Sequence, residues 1–312
     1  MKILDHRVLI VTGKGGVGKT TVCAALGVMA AAQGARCIIV ETAGGQRIPG
    51  IFGKRSKGYE VVELRHNLFT MSLTPKEAIE DYIVQQLHFR RLYKMVFENR
   101  VMGPFIDAVP GLHDAVQLGK VWDLERQKTK GRPTWDLVIV DAPATGHGLT
   151  LLDAPSAMSD LTRTGPMHRA VKQVQDLVED PKRTALLLVS LPESMPLSET
   201  IDLYRALPPT FQSQVAAIIL NEVWEERAST LESIDALLQS SSPDTVEAAT
   251  LLRRWIQRCE EQQQAHRRLS DEVDLPVHPL PFLVDRKLDE SKINLLANAL
   301  GALAHSPDGV EE

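Results

Sequence analysis

The sequence predicts an α/β fold class, a doubly wound and mostly parallel sheet with a helical insertion, and three observations lead there. Short apolar runs recur along the 312 residues, apolar at nearly every position rather than at alternate ones, which suits strands covered on both faces. Helical patterns stand between them, so the connections read as crossovers between parallel strands. The first run feeds straight into a glycine-rich loop that opens a helix, the arrangement with which such sheets hold phosphate.

The expected strands are 7–12, 36–41, 67–73, 135–142, 184–190 and 214–221, with 277–282 as a short edge strand. An alanine-rich helix leaves the glycine loop and stops at Gly34, a residue type favoured just past helix ends. Between about 75 and 132 lies an insertion that reads as mostly helical, with turn signals at Gly103–Pro104 and Pro110–Gly111. Within it Tyr82, Phe89, Tyr93 and Phe97 fall on one helix face. That face either packs on neighbouring helices or meets a partner or cargo. Further helices are expected over 163–183, 243–268 and 290–303, and 305–312 reads as a frayed acidic tail. The expected organisation is one domain, 1–304, with the insertion inside it.

Composition fits a globular chain, 44% hydrophobic and 24% charged. A net charge of −5, with cations spread along the chain, argues against a dedicated nucleic-acid binder. Three cysteines without a CxxC pair point to a reducing compartment rather than a disulfide scaffold, and the amino-terminal apolar run of about six residues is a first strand, too short for a signal peptide or membrane span. The expectation is a soluble, cytoplasmic protein without stable membrane insertion.

Chemistry concentrates in "VTGKGGVGKTT", Val11 to Thr21. Gly13, Gly18, Lys19 and Thr20 satisfy GxxxxGK[ST]. The amides of Gly13, Lys14, Gly15, Gly16, Val17, Gly18, Lys19, Thr20 and Thr21 are placed to turn toward phosphates at the positive end of the new helix. Lys19 bridges β- and γ-phosphate oxygens, and the Thr20 hydroxyl ligates Mg²⁺. Asp141, closing the run "DLVIVDA", supplies a carboxylate for the same ion through water. In "PATGHG" after it, Gly146 is placed to present its N–H to the γ-phosphate; His147 is either part of that loop's chemistry or a surface hydrogen-bonding group. Lys14 is one lysine more than the phosphate loop requires.

"GKGGVGKTT", "DAPATGHGLTLL", "LPESMPLSET" (191–200) and "IILNEV" (218–223), in this order, resemble the ArsA/tail-anchored-protein-targeting ATPases, a branch of the deviant-Walker ATPases. The likeness runs from about residue 7 to 304 and is weakest in the insertion. It implies ATP with Mg²⁺, and a nucleotide-sandwich dimer in which Lys14 reaches the partner's phosphates. It also implies that Glu193 touches nucleotide across the interface and that Asn221 reads adenine. The dimer would be a homodimer or a heterodimer with an ArsA-like paralogue.

The sequence departs from that pattern where a "DPAH"-type segment should follow the second strand. Here "IIVETAGGQRIPGIFG" (38–53) puts Ala43 and Gly44 in place of Asp-Pro, and no aspartate occurs between Met29 and Asn67. Glu41, Gln46 or neither takes over the positioning of water, so hydrolysis is expected to be slow. Scattered Cys23, Cys37 and Cys259 do not support a metalloid site, and neither a zinc clasp nor a full cargo groove is expected. The readings are a nucleotide-switched dimeric ATPase, a non-hydrolysing ATP-gated interaction module, or a positioning ATPase of the MinD/ParA type. The last lacks a basic amphipathic carboxy-terminal helix.

Overall fold

The strands of the computed structural model run, in chain order, β1 (Val8–Gly13), β2 (Cys37–Glu41), β3 (Val62–Arg65), β4 (Leu68–Ser72), β5 (Lys128–Thr129), β6 (Arg132–Pro133), β7 (Leu137–Ala144), β8 (Thr184–Ser190), β9 (Val215–Val223) and β10 (Val277–Pro281). The structure describes residues 3–42, 45–74, 77–78, 81, 111–162, 164–225, 231–284 and 287–301. Ala43, Gly44, the aromatic set Tyr82, Phe89, Tyr93 and Phe97, the Gly103–Pro104 turn and the 305–312 tail lie outside the described residues.

Among the described residues, eight strands form one sheet in the order β10-β9-β8-β1-β7-β2-β4-β3. Every neighbouring pair is parallel except β3 with β4. Each expected strand is present, with 277–282 at the edge as anticipated. Within this sheet the unexpected strand is β3. It is short and only half buried, and it turns back through Asn67, which takes a left-handed φ of 62° that asparagine tolerates well.

The apolar runs are unbroken because each strand is buried twice. Leu9, Val11, Ile39, Ile139, Leu187 and Ile219 meet α1 (Lys19–Ala32) and the short α2 (Ile48–Ile51) on one face. Val8, Ile10, Ile38, Val40, Val138, Val140, Leu186 and Leu188 point the other way. There they meet α3 (Leu112–Arg126), α4 (Thr145–Thr162), α5 (Pro166–Val178) and α6 (Ser194–Ala206). A turn, α7 (Pro209–Gln212), leads into β9; α8 (Leu231–Leu238) and the long α9 (Pro243–Glu272) follow it. The closing α10 (Glu290–Ala299) lies against α1 and starts at Asp289, whose carboxylate accepts from the Lys292 amide.

One part of the insertion differs from a mostly helical reading. Its carboxy-terminal end, 128–133, is a hairpin of β5 and β6, turned by Lys130 and Gly131 at positive φ. Helix α3 buries Leu118, Val121 and Leu124 against the sheet and belongs to its covering layer.

Candidate functional site

The glycine loop leaves β1 at the centre of the sheet, and two of its glycines have no substitute. A Cβ on Gly13 would stand 2.3 Å from the Val189 carbonyl oxygen. At Gly18, φ is 89°, and a Cβ would stand 2.3 Å from Asn221 Nδ2. Helix α1 begins at the next residue, so its first amides face the loop's interior. Lys19 folds over the loop and donates to the carbonyls of Gly13 and Lys14, each at 2.9 Å. Burial lowers its pKa, against the attraction of Asp141.

Below the loop, Thr20 Oγ1 donates to Asp141 Oδ2 at 2.7 Å. Strand β7 continues three residues beyond Asp141, so this carboxylate sits inside a strand rather than closing it. Register places Glu41 of β2 directly beside Asp141. Both carboxyls are pushed up, chiefly by burial; at Glu41 the Arg47 and Ile48 amides oppose this and the Asp141 charge adds to it, and at Asp141 Thr20 and Lys19 oppose it. Glu41 Oε1 accepts from the amides of Arg47, at 2.7 Å, and Ile48, at 3.3 Å, pinning the segment that follows β2. Its Oε2 is buried without a hydrogen-bond partner. Gln46, by contrast, is exposed and held at a φ of 43°.

Helix α4 begins at Thr145, so Gly146 lies in a helical first turn rather than in a loop. The change leaves its amide among those without an intrahelical acceptor. Asn221, buried at the end of β9, donates from Nδ2 to the Val17 carbonyl at 3.0 Å and so touches the loop from the far side. Glu193 caps α6 in extended conformation and pairs with Arg258 at 3.2 Å. Its charge also helps raise the pKa of Glu222, after burial, so Glu193 lies near the end of β9 as well.

Lys14, expected to reach a partner's phosphates, is engaged within its own chain. Its Nζ lies 2.5 Å from Glu199 Oε1 and 2.9 Å from Met195 Sδ, both one turn apart on α6. Sequence reasoning quoted the "ET" of this segment without giving Glu199 a role. It also passed over a cavity of about 330 Å³ beside the end of β9, lined by Trp224, Trp255, Phe282, Val284 and Leu295, in which Trp224 and Phe282 stack at 5.1 Å. Cys23, Cys37 and Cys259 are buried, dispersed and in no disulfide, and burial pushes Cys37 up to about 12. Among the described residues there is no cluster of three metal-ligating side chains, and no helix is long and apolar enough to cross a membrane.

A parallel sheet whose central strand opens into this loop, with a threonine and an aspartate hydrogen-bonded beneath it, defines a nucleotide-dependent P-loop protein. The family model described as anion-transporting ATPase matches residues 6–165 and 161–239, and the chain belongs to that ArsA ATPase family. ATPase BagA of Mycobacterium tuberculosis is 29% identical over 228 residues, covering 69% of this chain and 64% of that protein. ATPase GET3 of Kluyveromyces lactis is 25% identical over 253 residues, 70% of this chain and 72% of that one. A putative arsenical pump-driving ATPase of Halobacterium salinarum is 27% identical over 216 residues, 65% of this chain and 33% of that protein. The chain thus spans less than two thirds of the mycobacterial relative it matches.

Proposed function

We propose that this protein is an ATP-binding, nucleotide-switched ATPase, a P-loop domain over 1–304 that closes as a dimer around ATP and Mg²⁺. The observation that carries the reading is the Thr20–Asp141 pair directly under the glycine loop. Hard oxygen ligands of this kind suit Mg²⁺, and the cation would relieve the burial that raises the Asp141 pKa. The residues fit the group: Gly13 and Gly18 let the loop close against Val189 and Asn221 in the conformation that ends at the α1 amides, and Lys19 already spans two loop carbonyls as a cation between oxygens. Asn221, which touches the loop at Val17, carries the donor and acceptor that an adenine edge requires.

In the dimer, Lys14 would leave Glu199 and neutralise phosphoryl charge in trans, with Glu193 at the same interface. Assembly then depends on ATP, because the cation reaches the phosphates only in the closed state. The partner is a second copy or an ArsA-like paralogue, and the insertion takes the protein partner or cargo. Cytoplasmic placement accords with three cysteines that form no disulfide.

Turnover is the open step. Glu41 is 2% exposed and committed through Oε1 to two amides, which makes it an anchor for the segment after β2. Gln46 is exposed on that anchored segment, which favours it for orienting water. The absence of an aspartate between Met29 and Asn67 favours the second reading, an ATP-gated module without turnover. Steady-state ATP hydrolysis by the purified chain, against Asp141→Asn and with ATP binding measured in parallel, separates them. Turnover above that control supports the enzyme, binding without turnover supports the module, and no binding overturns both.

A further inference from the structure

We infer a second anion site, for a small molecule bearing two or more phosphate or carboxylate groups, in the cleft at the end of the sheet remote from the glycine loop. The cleft holds about 640 Å³, within the range of small-ligand sites. It is lined by Arg7, Trp122, Glu125, Arg126, Lys128 and Arg183, with Gln173 and Asp176 at α5. Arg7 and Arg183 immediately precede β1 and β8, whereas the glycine loop follows β1, so the two sites stand at opposite strand ends.

The lining contains four cations and two carboxylates on a chain whose net charge is −5. Those carboxylates are already engaged. The Glu125 side chain, 9% exposed, takes Arg183 Nη2 at 2.8 Å and Arg7 Nε at 3.7 Å, and Asp176 pairs with Lys172 at 3.1 Å. Arg7 is spent internally as well, donating to the carbonyls of Asp136 and Glu125. It fixes the cleft floor and is not a ligand group.

Arg126, Lys128 and Arg183 have capacity left. Arg126 lies 4.1 Å over the Trp122 ring, which orients its guanidinium without using its N–H donors. Among the described residues no carboxylate pairs with Arg126 or Lys128. Hairpin geometry aims Lys128: it pairs with Pro133, and both line the cleft, whereas Thr129 and Arg132 form the next pair and face away. Arg183 retains two nitrogens beyond its bond to Glu125. Three cations converging on one polar hollow would repel each other, and a polyvalent anion relieves that while filling it.

The site is independent of the nucleotide reading. Its test is calorimetric titration of the full chain with citrate and, separately, fructose 1,6-bisphosphate, at low ionic strength without magnesium. Saturable binding of at least one probe is expected, weakened about tenfold by Lys128→Ala and unchanged by Arg132→Ala on the hairpin's other face. Which probe binds more tightly identifies carboxylate or phosphate as the group recognised. The same titration of Lys19→Ala keeps the two sites apart: binding that survives there belongs to the cleft, and binding lost there belongs to the glycine loop and overturns the inference. No saturable binding, indifference to Lys128→Ala, or equal losses in Lys128→Ala and Arg132→Ala also overturns it.

Discussion

Lys14 and Glu199 form an ion pair within one chain, Nζ to Oε1 at 2.5 Å, with 28% and 39% of their side chains exposed. The lysine proposed to serve a partner's phosphates is therefore held at home by α6, and any reach in trans starts by breaking this contact. A pair this exposed contributes at most about 1 kcal/mol. Glu199→Gln is expected to tighten ATP-dependent dimerisation by up to about fivefold, and Lys14→Ala to weaken it while leaving ATP binding largely intact. Sedimentation velocity with and without ATP reads both. Weaker association of the Glu199 variant would mean that Glu199 acts in the closed state instead.

Gly18 and Asn221 make a second coupled pair. Gly18→Ala places a methyl 2.3 Å from Asn221 Nδ2 and at a φ of 89°. The left-handed backbone alone costs roughly 1–2 kcal/mol for a residue with a Cβ, and the clash adds to it. In the double variant with Asn221→Ala the clash is gone and the backbone strain stays. Because Asn221→Ala also removes its hydrogen bond to the Val17 carbonyl, the contact is read from the double-mutant cycle: denaturant unfolding should show the double variant losing less than the sum of the two single losses, and strict additivity would contradict the contact.

What the sequence disclosed follows from which signals are local. The glycine loop is legible because Gly13 and Gly18 answer to immediate steric demands, and the strands because burial on two faces leaves no polar positions in runs such as Leu137–Val140. Strand β3 escaped because one face is only half covered, leaving Glu63 among its few residues. The Lys14–Glu199 pair spans 185 positions, and the Arg7–Glu125–Arg183 tie crosses three elements. No spacing rule announces either. The stretch around Gly146 reads as a loop in the sequence, yet α4 starts at Thr145 straight after β7.

Asp141 and Glu41 make a pH prediction with a definite sign. Burial raises both pKa values from ordinary levels of 3.8 and 4.5. Folding therefore favours their protonated forms, and the stability this gives is full below those ordinary values and is lost as pH rises through the raised ones. Without magnesium or nucleotide, Asp141→Asn should melt at a higher temperature than the parent at neutral pH, with the difference shrinking toward pH 4. The same variant should bind Mg²⁺ poorly. A melting difference that grows on acidification would show that Asp141 is stabilised in its charged form.

Gln46 and Glu41 separate by what each controls. Glu41 holds the amides of Arg47 and Ile48 from a site 2% exposed, so Glu41→Ala leaves two buried-side donors unmatched and is expected to cost about 1–3 kcal/mol of stability. Gln46 is exposed, and Gln46→Ala is expected to change stability by less than about 0.5 kcal/mol. If Gln46 orients the attacking water, its loss should lower kcat roughly 10- to 100-fold with KM for ATP little changed, since the group acts on the reacting water and not on the bound nucleotide. Glu41→Gln keeps an acceptor for the two amides and tests the other assignment, with a large kcat loss pointing to its free Oε2. Unchanged kcat in both Gln46→Ala and Glu41→Gln would remove both groups from the reaction, and with them the claim that the segment after β2 positions the attacking water.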